Sequence, residues 1–176
     1  MAKKFLAISG SLRAVSSNTS LLRAAQLLAR PPVSIEIYGG LSQLPHFNPD
    51  LDVEPLPSAV VDLRAKIKAA DGLLISSPEY ARGVAGVMKN ALDWMVSDMD
   101  FAGKPVALYN ASPRASHGLA ALRLTLETMA ARIVDIASIT LPLLSSPLDA
   151  EGIAADPKLS LMIRNALAAF VFVMDA

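Results

Sequence analysis

Five short apolar runs alternate with five stretches whose apolar residues recur at spacings of three and four, and this alternation constrains the chain more than any other feature of its 176 residues. Lys4 to Ser9, Val33 to Tyr38, Gly72 to Ile75, Pro105 to Ala111 and Ile133 to Ile139 read as strands. Ser16, Ser17 and Asn18 are good helix caps ahead of Leu21, Leu22, Ala25, Leu28 and Ala29, and Pro31-Pro32 stops that helix. Val60, Leu63, Ile67 and Ala70 mark a second helix, after a loop rich in Pro, Asn and Asp from Leu44 to Pro57. Three more helices are expected at Val84 to Val96, Leu119 to Ala131 and Leu159 to Met174. Strict alternation of this kind predicts a parallel sheet covered on both faces, with right-handed crossovers. Five strands favour the order 2-1-3-4-5, and ligands of such sheets bind beyond the carboxyl ends of the strands where the order reverses. With no repeat, linker or low-complexity stretch, one domain over residues 1–176 is expected.

Composition excludes several classes of chemistry. Hydrophobic residues make up 53% of the chain and charged ones 18%, enough apolar surface for folding by burial. The formal net charge is zero, which removes the electrostatic case for nucleic acid and argues against a carrier steered to a protein partner by charge. Without cysteine there are no disulfides, thiolate metal sites or cysteine nucleophiles. The run after Lys3-Lys4 ends at once in Ser9-Gly10-Ser11, too short for a signal peptide. Ala166 to Met174 falls short of the ~20 residues that span a bilayer. No membrane attachment and a cytoplasmic location are therefore expected. His46 and His117 show no ligand spacing with the carboxylates, so no metal site is expected, and G-x-S-x-G is absent.

The loops at the reversal point carry the chemistry. The first, Ser9 to Ser20, offers hydroxyls, an amide, the Arg13 guanidinium and a helix N-terminus, which together suit a phosphate monoester. It matches neither G-x-x-x-x-G-K-[ST] nor G-x-G-x-x-G, so a mononucleotide fits better than a triphosphate or a dinucleotide. In the third loop, Pro78 to Gly86, a proline and two glycines let the backbone turn sharply against a flat ligand. The loop from Asn110 to Gly118 is a further Ser/Gly turn at the same edge.

G-S-L-R-x-x-S-x-N from Gly10 to Asn18, with P-E-Y-x-x-G-x-x-G-x-x-K-N-A-L-D-W from Pro78 to Trp94, resembles the NADPH-dependent FMN reductase family. That family includes quinone, azo-dye and chromate reductases with a flavodoxin-like fold. The resemblance runs over nearly the whole chain in element order, including Leu44-Pro45-His46-Phe47-Asn48. It implies that Ser11, Arg13, Ser16, Ser17, Asn18 and Thr19 hold an FMN phosphate. It implies that Pro78, Glu79, Tyr80, Ala81, Arg82 and Gly83 hold the isoalloxazine, with Ser112 and Gly118 nearby. NADPH or NADH would deliver hydride to the flavin, and a small acceptor would then use the same face, a ping-pong sequence needing no general acid or base. Arg82 and Arg114 are candidates for the nucleotide 2′-phosphate. Two positions depart from the family pattern: Ala81 stands where relatives often have Asn, and Ala85 where they often have Pro.

Plotted as a helix, Val84 to Val96 gathers apolar side chains over roughly 200°, wider than the ~100° stripe one packed face requires. Met88, Trp94 and Met95 belong to the surplus. Relatives dimerise through this helix, so a homodimer is expected, or a tetramer built from it. The rival expectations are an FMN electron carrier without nucleotide chemistry, and a flavin-free domain of the same fold.

Overall fold

The computed structural model describes residues 2–143 and 148–175. Strands β1 (Lys3–Ser9), β2 (Val33–Tyr38), β3 (Gly72–Ser76), β6 (Pro105–Asn110) and β7 (Arg132–Ile133) form the main sheet, with β4 (Glu79–Tyr80) and β5 (Gly83–Val84) a separate hairpin. The order is β2-β1-β3-β6-β7, all parallel, and β8 (Ile139–Thr140) also pairs with β6. This is the expected 2-1-3-4-5 topology, with one difference in its last strand. A 3-10 turn at Asp135–Ala137 breaks the fifth strand into β7 and β8, which continue along β6 at Val106 and Tyr109 respectively.

Helices α1 (Ser17–Leu28), α2 (Ser58–Ala69), α3 (Gly86–Asp93), α4 (Ser116–Thr128), α5 (Ala150–Ala155) and α6 (Pro157–Asp175) complete the chain. Alternation within β1 sends Phe5 and Ala7 to one face and Leu6 and Ile8 to the other. On the first face α1, α5 and α6 close over Phe5, Leu74, Ala107 and Tyr109 with Leu21, Leu22, Ala25, Leu28, Ile153, Ile163 and Phe170. On the second face α2, α3 and α4 close over Leu6, Ile8, Leu73, Ile75, Val106 and Leu108 with Val60, Leu63, Ile67, Met88, Leu92, Leu122 and Leu126. Each large side chain fully buried in these two layers contributes ~1.5–3 kcal/mol.

Other elements also differ from the expectation. The β4–β5 hairpin lies within the expected third loop, and α4 starts and ends three residues earlier than Leu119 to Ala131. α3 is shorter than Val84 to Val96, because Val84 belongs to the hairpin and the chain leaves the helix after Asp93. Met88, Trp94 and Met95 are 1%, 0% and 1% exposed, so the surplus apolar arc is covered by this chain itself. The cover includes Phe47, whose ring meets that of Trp94 edge-on at 5.1 Å. α6 is 19 residues long, long and apolar enough by length and composition to cross a membrane, and its inner face (Ile163, Ala166, Leu167, Phe170) packs into the core. α5, capped by the Asp149 carboxylate on the Gly152 N–H at 2.8 Å, is an element the periodicity does not predict.

Candidate cofactor cleft

The carboxyl ends of β1, β3 and β6 open into a cleft of about 280 Å³, close to the ~300 Å³ at which small-molecule sites begin. Its lining comes from three loops: Ser11 to Asn18, Ser77 to Tyr80, and Asn110 to Ala115. They are the loops that the strand order selects.

The first loop ends in a helix start. Ser16 is the N-cap of α1, with extended backbone, and its hydroxyl accepts the Thr19 N–H at a long 3.4 Å. The Ser17 and Asn18 N–H groups lie in the first turn, where no intrahelical carbonyl reaches them, so they are available to an anion. Ser11, Arg13, Ser16, Ser17 and Asn18 all line the cleft. Thr19 does not; its hydroxyl pairs with that of Ser9 at 2.8 Å, behind the loop.

Cross-links hold the loops in register. The Ser76 hydroxyl donates to Asn18 Oδ1 at 2.8 Å between two buried side chains, tying the end of β3 to the start of α1. Gly10 donates its N–H to the Ser76 carbonyl at 2.8 Å. A Cβ on Gly10 would lie 2.6 Å from Ser77 Oγ and 3.1 Å from Met88 Cβ, so glycine is what this approach permits. In the last loop Asn110 closes a turn on Ser112, giving its Nδ2–H to the Ser112 carbonyl at 2.7 Å and taking the Ser112 N–H at 3.2 Å. The Ser112 hydroxyl then accepts the Arg114 N–H at 3.1 Å.

Pro78, Glu79 and Tyr80 form the opposite wall. Beyond them the hairpin turns through Ala81 and Arg82, both left-handed at φ 49° and 60°. This is the two-residue turn that Asn and Gly favour, so Ala81 and Arg82 hold it at a backbone cost. Ala81, Arg82, Gly83 and Gly118 lie outside the cleft lining, while Ser112 lies within it. Sequence reasoning omits Ser77, Asn110, Ala111 and Ala115 from the site and gives Arg114 only to the nucleotide; all five line the cleft. Asn110 and Ser77 sit at or just past strand ends, and that position was the available signal. His46 and His117 are exposed and away from the lining.

The K-N-A-L-D-W stretch serves a different purpose. Asn90 Nδ2 and Trp94 Nε1 both donate to the Pro45 carbonyl, at 3.0 and 2.8 Å, and Asn90 Oδ1 accepts the Phe47 N–H at 2.8 Å. The two side chains, one helical turn apart, fasten the Pro45 to Phe47 loop. Lys89 and Asp93 form an ion pair on the outer face.

The donor set fits FMN: hydroxyls, a guanidinium and a helix N-terminus at one end suit its phosphate, and Pro78, Tyr80 and the hairpin backbone at the other suit a flat ring. An NAD(P)H-dependent FMN reductase of Pseudomonas aeruginosa is 44% identical over 111 residues, which cover 62% of this chain and 60% of that protein. An NADPH:quinone oxidoreductase of Arabidopsis thaliana is 45% identical over 107 residues, 58% of this chain and 54% of its own length. This chain thus spans between about half and three fifths of those relatives. Among solved structures, a flavoenzyme NAD(P)H:(acceptor) oxidoreductase of Paracoccus denitrificans superposes with a TM-score of 0.81 at 29% identity, covering 98% of this chain and 97% of that one. The fold is flavodoxin-like, as in that neighbour. The sequence pattern of one family extends over residues 3–146, and the chain belongs to it: the NADPH-dependent FMN reductases.

Proposed function

We propose that the chain, as one domain, binds FMN in the three-loop cleft and passes reducing equivalents from NADPH or NADH to a small acceptor such as a quinone, an azo compound, a metal oxyanion or free flavin. The observation that carries this reading is the polarity of the cleft, with anion donors at the α1 end and Pro78 and Tyr80 at the hairpin end. Bound FMN supplies the hydride chemistry. Ser11, Arg13, Ser16, Ser17 and Asn18 hold its phosphate. Thr19 acts one step behind them through Ser9. Pro78, Glu79 and Tyr80 bound the ring, with Ser112 beside it, while Ala81 to Gly83 close the hairpin turn outside the lining and Gly118 sits behind the hairpin. Their backbone groups orient the ring and keep water from one of its faces. No side chain needs to move a proton, so no general acid or base is assigned.

Arg114, which lines the cleft, and Arg82, exposed at the hairpin tip, are candidate partners for a nucleotide phosphate. A homodimer through the segment from Val84 to Val96, or a tetramer of two such dimers, would use its exposed remainder, since Val96 and the neighbouring Met99 are 67% and 87% exposed. The location we expect is cytoplasmic.

An absorbance spectrum of the purified protein with FMN, before and after anaerobic NADPH and NADH, tests the reading. A bound-flavin spectrum that bleaches with either nucleotide and returns with a quinone is the expected result. Flavin that binds but stays oxidised would point to an electron carrier. No binding at all would overturn the proposal.

A further inference from the structure

α4 begins without a cap of its own. Its N-cap residue is Ala115, which makes no side-chain capping bond, and the first turn holds no acidic residue. A helix start of this kind leaves backbone donors in need of an acceptor. The acceptor comes from 39 residues upstream, where Glu79 Oε2 takes the Gly118 N–H at 2.7 Å. Gly118 is buried, and a Cβ there would stand 2.9 Å from Glu79 Cβ and 3.0 Å from the Gly83 carbonyl oxygen. The first turn of α4 therefore presses on both strands of the β4–β5 hairpin.

The hairpin needs this support. Its ladder pairs only Glu79 with Val84 and Tyr80 with Gly83, and a two-stranded ribbon of that size is not stable alone in water. Its turn also carries two non-glycine residues in the left-handed region, each costing ~1 kcal/mol.

We propose that Glu79 is the positioning residue for the ring end of the cleft: by capping α4 it locks the hairpin to the helix that follows the Ser112 loop. The ligand in this proposal rests on the FMN reading, whereas the lock itself is a property of the ligand-free chain. Glu79 exchanges no proton or electron in this role.

Arg82 is exposed at the tip of the hairpin, so trypsin cleavage after Arg82 in FMN-free protein reports undocking. In Glu79→Ala that cleavage is expected to accelerate about tenfold, and FMN affinity in a visible titration to fall by a similar factor. Glu79→Gln keeps an oxygen for the Gly118 N–H and is expected to lie nearer wild type in both readouts. Gly118→Ala keeps the carboxylate but fills the contact, and is expected to reproduce the loss; it decides the matter if Glu79→Ala does not fold. Wild-type cleavage and wild-type FMN affinity in Glu79→Ala overturn the proposal, as does a Gln variant as impaired as the Ala one. A wild-type protein that protects Arg82 through Glu79 but takes up no FMN keeps the lock and sinks the cofactor reading.

Discussion

The two ends of the cleft are built to different standards. At the α1 end, buried side chains bond to one another: Ser76 to Asn18, with Ser9 to Thr19 behind, and Gly10 is pressed onto Ser77. At the hairpin end, two residue pairs and a left-handed turn lean on the first turn of α4, through one carboxylate and the close approach of Gly118. The first end is expected to share the core's stability, and the second to open at a lower cost than unfolding the sheet. A cleft made this way can fix one end of its ligand firmly and leave the other adjustable.

The largest test of that contrast is Gly10→Val. Its side chain would meet Ser77 and Met88 inside ordinary contact distance, so a loss of ~3 kcal/mol is expected in a urea titration, together with FMN binding. A midpoint equal to wild type would show that the α1 end yields as easily as the hairpin. Next is Asn18→Ala, which strands the fully buried Ser76 hydroxyl and should cost ~2 kcal/mol. Adding Ser76→Ala should recover much of this, because removing both partners is nearly neutral; no recovery would mean that the pair does not act as a unit.

At the other end the effects are smaller and opposite in sign. Ala81→Gly relieves the left-handed φ and should slow trypsin cleavage after Arg82 several-fold, for a gain of ~1 kcal/mol in hairpin closure. Unchanged cleavage would mean the turn is not the weak point. Ala85 already has φ −56° and ψ 134°, the backbone of proline, so Ala85→Pro should add ~0.5 kcal/mol to thermal stability. A lowered thermal midpoint would show that the buried site has no room for the ring.

Much of this was legible in the sequence, for physical reasons that differ by element. Apolar runs and caps predict the five-strand order, and the order selects the three loops. The break in the last strand was hidden because Val134 and Asp135, then Ile136 and Ala137, continue a plausible strand composition through a 3-10 turn. The fate of Met88, Trp94 and Met95 was hidden for another reason. A helical wheel gives the width of an apolar arc but not what covers it, and here the cover includes Phe47, carried on a loop far upstream whose N–H is bonded to Asn90. Glu79 posed the same difficulty, since its partner lies 39 residues away and donates a backbone N–H that no side-chain pattern records.

The Pro45–Trp94 bond has an optical consequence. Trp94 is the chain's single tryptophan, and it is wholly buried with its indole N–H bonded to a carbonyl. All of the protein's indole fluorescence therefore comes from one known address, on the segment just after α3. An oxidised flavin absorbs where indole emits, so filling the cleft should dim that emission by energy transfer. The chain carries its own reporter of occupancy, with no label attached.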